Sequence, residues 1–178
     1  MAKFYSDLDE KLIRFIEQQK MFFVATADAE GRVNLSPKGM DSLRVLGPRR
    51  IAWLNLTGSG NETAAHLLQL NRMTVMFCAF EGRSKILRLY GTAATRYPGD
   101  SGWDELAQKF PHYQGSRQIF DMQVESLQTS CGFGVPLYDY VGAREELRDW
   151  ERRKGEEGIR EYWKTRNALS IDGKPTRA

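Results

Sequence analysis

A change in hydrophobic period near residue 20 constrains the fold more than any other feature of the chain. Residues 7–18 carry apolar side chains at helical spacing, with Ser6 or Asp7 as the cap. The next segment, MFFVATADAEGRVNLSPKG (21–39), joins two runs of strand composition through the turn DAEG. The sequence therefore predicts a helix followed directly by a β-hairpin.

Strand patterns continue through the middle of the chain and are interrupted once by a short helix, predicted over residues 62–70. Residues 72–80 are apolar on both faces, as expected of a strand buried on two sides. About six strands with one inserted helix indicate a small antiparallel barrel. Further strands are predicted at 42–47, 50–56, 85–96 and 117–130.

The C-terminal part of the chain has helical composition. A short helix is predicted at 102–110, and a longer one at 143–167 with breaks near Gly155 and Gly158. A length of 178 residues suits one domain with a sizeable core. We therefore predict a mainly β (α+β) domain over residues 1–142, with residues 143–178 as its helical C-terminal extension.

Composition argues against several classes of protein. Two cysteines and two histidines are too few for a disulfide framework or a histidine-based zinc site. No apolar stretch approaches the roughly 20 residues of a membrane span. The net charge of +3 comes without a basic stripe, which argues against nucleic-acid binding. The first residues, MAKFYSDLDEKL, lack the apolar core of a signal peptide, so a cytoplasmic location is expected.

The second predicted strand could bind an anion. Strand alternation places Asn34, Ser36 and Lys38 on one face, with Val33 and Leu35 on the other. An amide, a hydroxyl and an ammonium suit an anionic ligand. The alternative, which spacing alone favours, is a solvent-exposed polar face of a half-buried strand.

The segment LNLTGSGNETAAHL (54–67) allows two interpretations. Ser59 and Glu62 fit a capping box, which accounts for the pattern without a ligand. Alternatively, the free N–H groups at the helix start receive a phosphate, with Gly58 and Gly60 allowing close approach. The segment has neither the lysine of a Walker loop nor the GxGxxG pattern.

Two further features carry chemistry. Arg88 lies among apolar residues in a predicted strand, so it needs an anionic partner, either a carboxylate or a ligand phosphate.

In SCGFGVPLYDYVG (130–142), Cys131 has no neighbouring base, which favours a structural role over a nucleophilic one. The aromatic residues Phe133, Tyr138 and Tyr140 suit core or interface packing, or stacking on a flat ligand.

The motifs FFVATADAEGRVNLSPKG, IAWLNLTGSGNETAAHLLQLNRMTVMF and LRLYGTAA occur in the order found in pyridoxamine 5′-phosphate oxidase-like flavin-binding proteins. The chain resembles this family over residues 20–95. Together with SCGFGVPLYDYVG and RNALSIDGKP, it resembles a bacterial branch of flavin-nucleotide-binding proteins over nearly its whole length.

The resemblance implies a split antiparallel β-barrel that pairs into a homodimer, with FMN held at the subunit interface. It also implies that the second strand and the joint after the fourth strand hold the phosphate, while Arg88 approaches the flavin. The residues at the strand and the joint are Ser36, Pro37, Lys38, Asn55, Leu56, Thr57, Asn61, Glu62 and Thr63.

Two departures from the family pattern bear on the substrate. The oxidases have a basic Ser-Arg-Lys type sequence where this chain has Asn61, Glu62 and Thr63. Either Lys38 or Arg88 supplies the positive charge, or the phosphate lies at a different position. The oxidases also hold pyridoxal through a C-terminal Arg-x-His, and this C-terminus contains no histidine. The missing Arg-x-His argues against specific oxidation of pyridoxamine phosphate.

Three functional hypotheses follow from the resemblance. The first is an FMN-dependent oxidoreductase of unknown substrate, in which the flavin carries the redox chemistry. The second is a flavin-binding carrier or sensor without turnover. The third is a different cofactor, either a deazaflavin or a haem, for which His66 and His112 are the available histidine ligands.

Overall fold

Eight antiparallel strands form one sheet in the computed structural model, which describes residues 2–177. The strand order is β3-β2-β6-β7-β8-β5-β4, and β1 pairs with β8. Within the described chain, the end strands β3 and β4 do not pair with each other, so the sheet curls without closing. The strands are β1 (Lys3–Tyr5), β2 (Phe22–Thr26), β3 (Asn34–Lys38), β4 (Leu43–Gly47), β5 (Arg50–Leu56), β6 (Arg72–Cys78), β7 (Ile86–Arg96) and β8 (Ser116–Ser130).

Both predicted hairpins are confirmed, since β2 pairs with β3 and β4 pairs with β5. The helices also lie where their patterns indicated. They are α1 (Glu10–Gln18), α2 (Glu62–Leu67), α3 (Trp103–Ala107) and α4 (Glu146–Arg166).

The predicted cap of α1 is wrong. Asp9, rather than Ser6 or Asp7, is the N-cap, because its carboxylate accepts a hydrogen bond from the Leu12 N–H at 2.8 Å. The helix begins at Glu10 and turns Leu12 and Ile16 into the core. Asp9 satisfies a backbone donor that the helix itself leaves free.

The expectation that residues 72–80 form a strand buried on two sides is also wrong. Along β6, Met73, Val75 and Phe77 are buried, whereas Thr74 and Met76 are only half-buried. The strand that is buried on both faces is β5. Residues of β5 and of its neighbour β8 belong to two separate hydrophobic cores, so this part of the sheet is covered on both sides.

The main core lies inside the curled sheet and contains Trp53, Phe77, Phe120 and the buried face of α1. A smaller core lies on the outer side of β5 and β8, where α3 packs. Trp53 and Phe120 stack with their ring centroids 4.5 Å apart. This packing fixes β5 and β8, which carry site residues at their ends.

The longest strands, β7 and β8, shift register between Tyr90 and Gly91. A Cβ atom at Gly91 would overlap the carbonyl oxygen of Gln123 on β8. The close approach of these two backbones therefore requires glycine at this bulge.

The C-terminal helix breaks at Gly155, where φ is 65° and ψ is 170°, which confirms one of the two predicted breaks. Gly158 lies within the helix. After Arg166 the chain forms a C-terminal hairpin (residues 168–176), closed by a bridge between Leu169 and Pro175. Among the helices of residues 2–177, none has the length and apolar character needed to cross a membrane.

Candidate functional site

A cavity of about 740 Å³ opens beside the edge strand β3. Its walls come from β3, the end of β5, the start of α2, the start of β8 and the C-terminal hairpin. This volume lies within the roughly 300–1,000 Å³ of small-molecule sites. The cavity brings together the two segments whose sequences suggested phosphate binding.

Strand β3 turns its polar face towards the cavity. Asn34, Ser36 and Lys38 line the wall, and Asn34 Nδ2 donates to Thr63 Oγ1 at 3.1 Å. The apolar residues of the strand lie at the rim of the cavity and are more exposed, since Val33 is 73% exposed and Leu35 is 65% exposed. The interpretation of Asn34, Ser36 and Lys38 as a solvent-facing strand surface is therefore wrong, because the sheet curls this face over the cavity.

The predicted capping box of Ser59 and Glu62 does not form. Asn61 occupies the N-cap position of α2, and its side chain makes no capping hydrogen bond. Its Oδ1 accepts from Gln118 Nε2 at 2.6 Å, and its buried Nδ2 has no partner within residues 2–177. The Glu62 carboxylate accepts from the Ile171 N–H of the C-terminal hairpin. The start of α2 therefore holds a buried amide donor without a partner, on a residue that lines the cavity.

Arg117, at the start of β8, is a candidate site residue that was not predicted from the sequence. It is only 3% exposed and lines the cavity. Its Nε donates to Gln118 Oε1 at 2.9 Å and its Nη2 to the Gly60 carbonyl oxygen at 3.0 Å. Its buried Nη1 has no hydrogen-bond partner among the described residues. The reasoning applied to Arg88, which lies between two leucines, does not single out Arg117, because Arg117 lies between Ser116 and Gln118.

Lys38 shares this positive environment. Burial, followed by the charge of Arg117, lowers the pKa of the Lys38 ammonium to about 8. Burial likewise lowers the pKa of the Arg117 guanidinium to about 10. The ammonium lies 5.3 Å from the centroid of the Trp53 ring.

Neither cation forms an ion pair with a carboxylate within residues 2–177. Two partly desolvated cations without a counter-ion are unfavourable, because burial removes their hydration without replacing it. Together with the unused donors on Arg117 and Asn61, they favour an anionic ligand at this end of the cavity.

Seven of the ten predicted site residues line the cavity. They are Ser36, Lys38, Asn55, Leu56, Asn61, Glu62 and Thr63.

The other three predicted residues lie elsewhere. Pro37 is on the exposed outer side of β3. The Thr57 hydroxyl donates to the Gly115 carbonyl oxygen at 3.0 Å and accepts from Trp163 Nε1 at 2.8 Å. Arg88, on β7, donates from Nη1 to the Ser130 hydroxyl at 3.3 Å. A ligand role for these three residues stays a prediction.

Neither histidine lines the cavity. His66 is buried with its Nδ1 3.0 Å from Thr26 Oγ1, and His112 lies on the exposed surface. Residues 2–177 contain no group of three or more potential metal-ligating side chains. The cavity therefore lacks a histidine ligand for haem iron.

The segment after β8 stands apart from this cavity. Cys131 is exposed, and a hydrogen bond from the Phe133 N–H lowers the pKa of its thiol. Phe133, Tyr138 and Tyr140 are 84%, 62% and 50% exposed. These aromatic side chains are therefore not part of the core of this chain.

An open split barrel with a cationic cavity beside its edge strand defines the class of this protein. The family model described as pyridoxamine 5′-phosphate oxidase matches residues 8–131. A curated Aspergillus flavus protein, the pyridoxamine 5′-phosphate oxidase family protein ustO, is 33% identical over 195 residues. That match covers 98% of this chain and 78% of ustO. The chain belongs to the pyridoxamine 5′-phosphate oxidase family.

Solved structures confirm the split-barrel fold. A Lactobacillus delbrueckii protein whose name refers to pyridoxamine 5′-phosphate oxidase has a TM-score of 0.56 at 18% identity, covering 69% of this chain and 94% of its own. HupZ from Group A Streptococcus has a TM-score of 0.53 at 20% identity, covering 67% and 91%. A FAD-binding protein from Mesorhizobium loti has a TM-score of 0.50 at 11% identity, covering 73% and 99%. At these identities the similarity is one of fold.

Proposed function

We propose that this protein binds FMN in the cavity and acts as an FMN-dependent oxidoreductase. The observation that carries the proposal is the buried Arg117, which lines a cavity shared with Lys38 and whose buried Nη1 has no hydrogen-bond partner among the described residues. A phosphate monoester carries up to two negative charges and three acceptor oxygens, so it would satisfy both cations at once.

The residues around these cations fit a phosphate. Ser36 and Thr63 supply hydroxyls, and Asn61 Nδ2 supplies a buried donor without a protein partner. Charge-assisted hydrogen bonds to phosphate are stronger than neutral ones, so the phosphate should dominate affinity. We expect FMN to bind about 100-fold more tightly than riboflavin, which lacks the phosphate.

Bound FMN would supply the electron-transfer chemistry, and the protein would contribute position, electrostatics and exclusion of water. Glu62 is the one carboxylate among the cavity-lining residues, and it is held by the C-terminal hairpin. Asp172 and Lys174 of the same hairpin form ion pairs with Arg32 and Asp28. Residues 143–178 contain no histidine for a pyridoxal substrate, so we propose a substrate other than pyridoxamine phosphate.

The exposed side of β3 supports a homodimer with the flavin at its interface. Val33 and Leu35 project from an edge strand beside the cavity mouth, and Leu169 and Ile171 of the C-terminal hairpin are also exposed there. Apolar groups around a cavity mouth are suited to contact with a second copy of the chain. Sedimentation of wild type and Leu35→Lys tests this proposal, and the substituted chain should sediment as a monomer.

Titration of the purified protein with FMN, riboflavin, FAD and a deazaflavin tests the choice of cofactor. Quenching of flavin fluorescence and a shift of the absorbance bands should accompany FMN binding. A protein that binds no flavin, or binds riboflavin as tightly as FMN, contradicts the phosphate site. Lys38→Ala should weaken FMN binding about tenfold or more, and the same titration of Arg88→Ala tests the predicted role of that residue.

A flavin carrier or sensor is the second candidate, because the cavity presents no acid or base other than the tethered Glu62 and the cations. Anaerobic mixing of the FMN-loaded protein with NADH or NADPH separates the two functions. Bleaching of the flavin absorbance, followed by reoxidation with a candidate acceptor over many cycles, supports the enzyme. A flavin that stays oxidised with both donors supports the carrier.

A further inference from the structure

Glu62 poses an electrostatic problem in a cavity suited to an anion. Its side chain lines the same cavity as Lys38 and Arg117. A free carboxylate beside a bound phosphate would repel it, and it would also offset the charge of the cations. The position of this carboxylate therefore affects how strongly the cavity prefers anionic ligands.

The C-terminal hairpin holds that carboxylate. Both Glu62 oxygens lie 3.1 Å from the backbone nitrogen of Ile171, whose N–H donates to them. A backbone donor of this kind fixes the direction of a carboxylate and compensates part of its charge.

The hairpin itself is fastened to the turn between β2 and β3. Asp172 pairs with Arg32 and accepts from its backbone N–H at 2.8 Å, while Lys174 pairs with Asp28. Gly31, with φ of 99°, allows this approach, because a Cβ atom there would lie 2.5 Å from Asp172 Oδ2. These contacts hold the Ile171 N–H beside α2 from a distant part of the chain.

We propose that the backbone N–H of Ile171 is a positioning group that keeps the negative charge of Glu62 away from the anionic group of the ligand. The C-terminal hairpin thereby sets the preference of the cavity for phosphorylated over neutral flavins. This inference rests on the proposed binding of FMN. The hairpin has this effect through Glu62, without contact between the hairpin and the ligand being needed.

A double-mutant cycle with a charged and a neutral ligand tests the proposal. Ile171→Pro removes the N–H, and Ile171→Ala is the matched control that retains it. Each is combined with wild-type Glu62 and with Glu62→Gln, and each protein is titrated with FMN and with riboflavin. Thermal unfolding of every variant establishes that it is folded.

We expect Ile171→Pro to weaken FMN binding roughly tenfold, since a released carboxylate repels the phosphate. Riboflavin binding should change less than about threefold, because riboflavin carries no phosphate. Glu62→Gln alone should strengthen FMN binding about threefold, and in that background Ile171→Pro should cost less than about threefold. Ile171→Ala retains the N–H and loses only the side chain, so it is the reference against which both effects of Ile171→Pro are measured.

Equal weakening of FMN and riboflavin by Ile171→Pro, or an undiminished effect in the Glu62→Gln background, would overturn the proposal. If proline prevents folding, the combination Asp172→Asn with Lys174→Gln releases the hairpin without changing its backbone. This double variant must then weaken FMN binding more than riboflavin binding, and must do so less in the Glu62→Gln background. A wild-type protein that binds no FMN refutes the proposed function, whereas FMN binding without this coupling refutes only the role of Ile171.

Discussion

The Arg117 guanidinium donates from Nη2 to the Gly60 carbonyl oxygen at 3.0 Å, which joins the start of β8 to the loop between β5 and α2. The same guanidinium keeps Nη1 without a partner among residues 2–177. Arg117 therefore holds the loop at the cavity and also places a buried charge with an unpaired donor at the cavity wall.

Replacing Arg117 should weaken ligand binding more than it affects the fold. Arg117→Met keeps a similar volume but removes the charge, so we expect FMN affinity to fall about 100-fold. The rise in thermal midpoint that FMN gives the wild type should be largely lost at the same ligand concentration. Arg160→Met, on the exposed face of α4, is the control, and equal FMN affinities in the two variants would refute the assignment.

The lowered pKa of Lys38 predicts how binding depends on pH. With a pKa of about 8, the unliganded protein loses the ammonium charge as pH rises above 8, and FMN affinity should fall by up to about tenfold per pH unit. Riboflavin affinity should stay nearly constant over the same range. Titrations between pH 6.5 and 9.5 measure this difference.

Deprotonation of Lys38 affects the stability of the unliganded protein in the opposite direction to FMN affinity: stability rises with pH, whereas FMN affinity falls. Its pKa is lower in the folded protein than the ordinary value of 10.5, so the unfolded chain binds more protons between pH 8 and 10.5. The contribution of Lys38 to the free energy of unfolding therefore rises with pH over this interval.

Lys38→Arg stays charged throughout this pH range, so its FMN affinity should not show the loss near pH 8. A loss identical to that of wild type would assign the titration to another group.

Local patterns were sufficient to predict most of the fold. Both hairpins, all four helices and the break at Gly155 follow from periodicity and turn residues that act within a few positions. Strand β1 was not predicted, because Lys3–Tyr5 is only three exposed residues and pairs with the distant β8. The two-sided burial of β5, rather than β6, depends on where α3 packs, which no local pattern specifies.

The candidate site was predicted only where it is built from consecutive residues. Ser36, Lys38 and Asn61 lie in the two segments that the sequence singled out, and they do line the cavity. Arg117 comes from a strand some 50 residues further along, and its orphaned Nη1 becomes visible only once β8 pairs with β5. Glu62 was expected to cap its own helix, but it is held instead by Ile171.

Gly91 should tolerate no side chain. Gly91→Ala would force Cβ into the Gln123 carbonyl oxygen on β8, and we expect a loss of about 2–3 kcal/mol in the free energy of unfolding. That loss corresponds to a fall of roughly 5–10 °C in thermal midpoint for a chain of this size. Gly134→Ala is the control, because nothing lies within 4 Å of the added Cβ; similar midpoints for both variants would mean that the bulge adjusts freely.

Thr57 should act on stability more than on the ligand. Its hydroxyl joins Trp163 of α4 to the Gly115 carbonyl oxygen. Thr57→Val leaves Trp163 Nε1 without a partner, whereas the Gly115 carbonyl oxygen keeps its bond from the Thr57 backbone N–H at 2.8 Å, so the substitution should cost about 1–3 kcal/mol in the free energy of unfolding. FMN affinity, measured well below the unfolding temperature, should change less than about threefold, because Thr57 is not part of the cavity wall. Thr57→Ser keeps the hydroxyl and should recover most of the stability. A large loss of FMN affinity with unchanged stability would instead assign this hydroxyl to the phosphate, as the family resemblance implies.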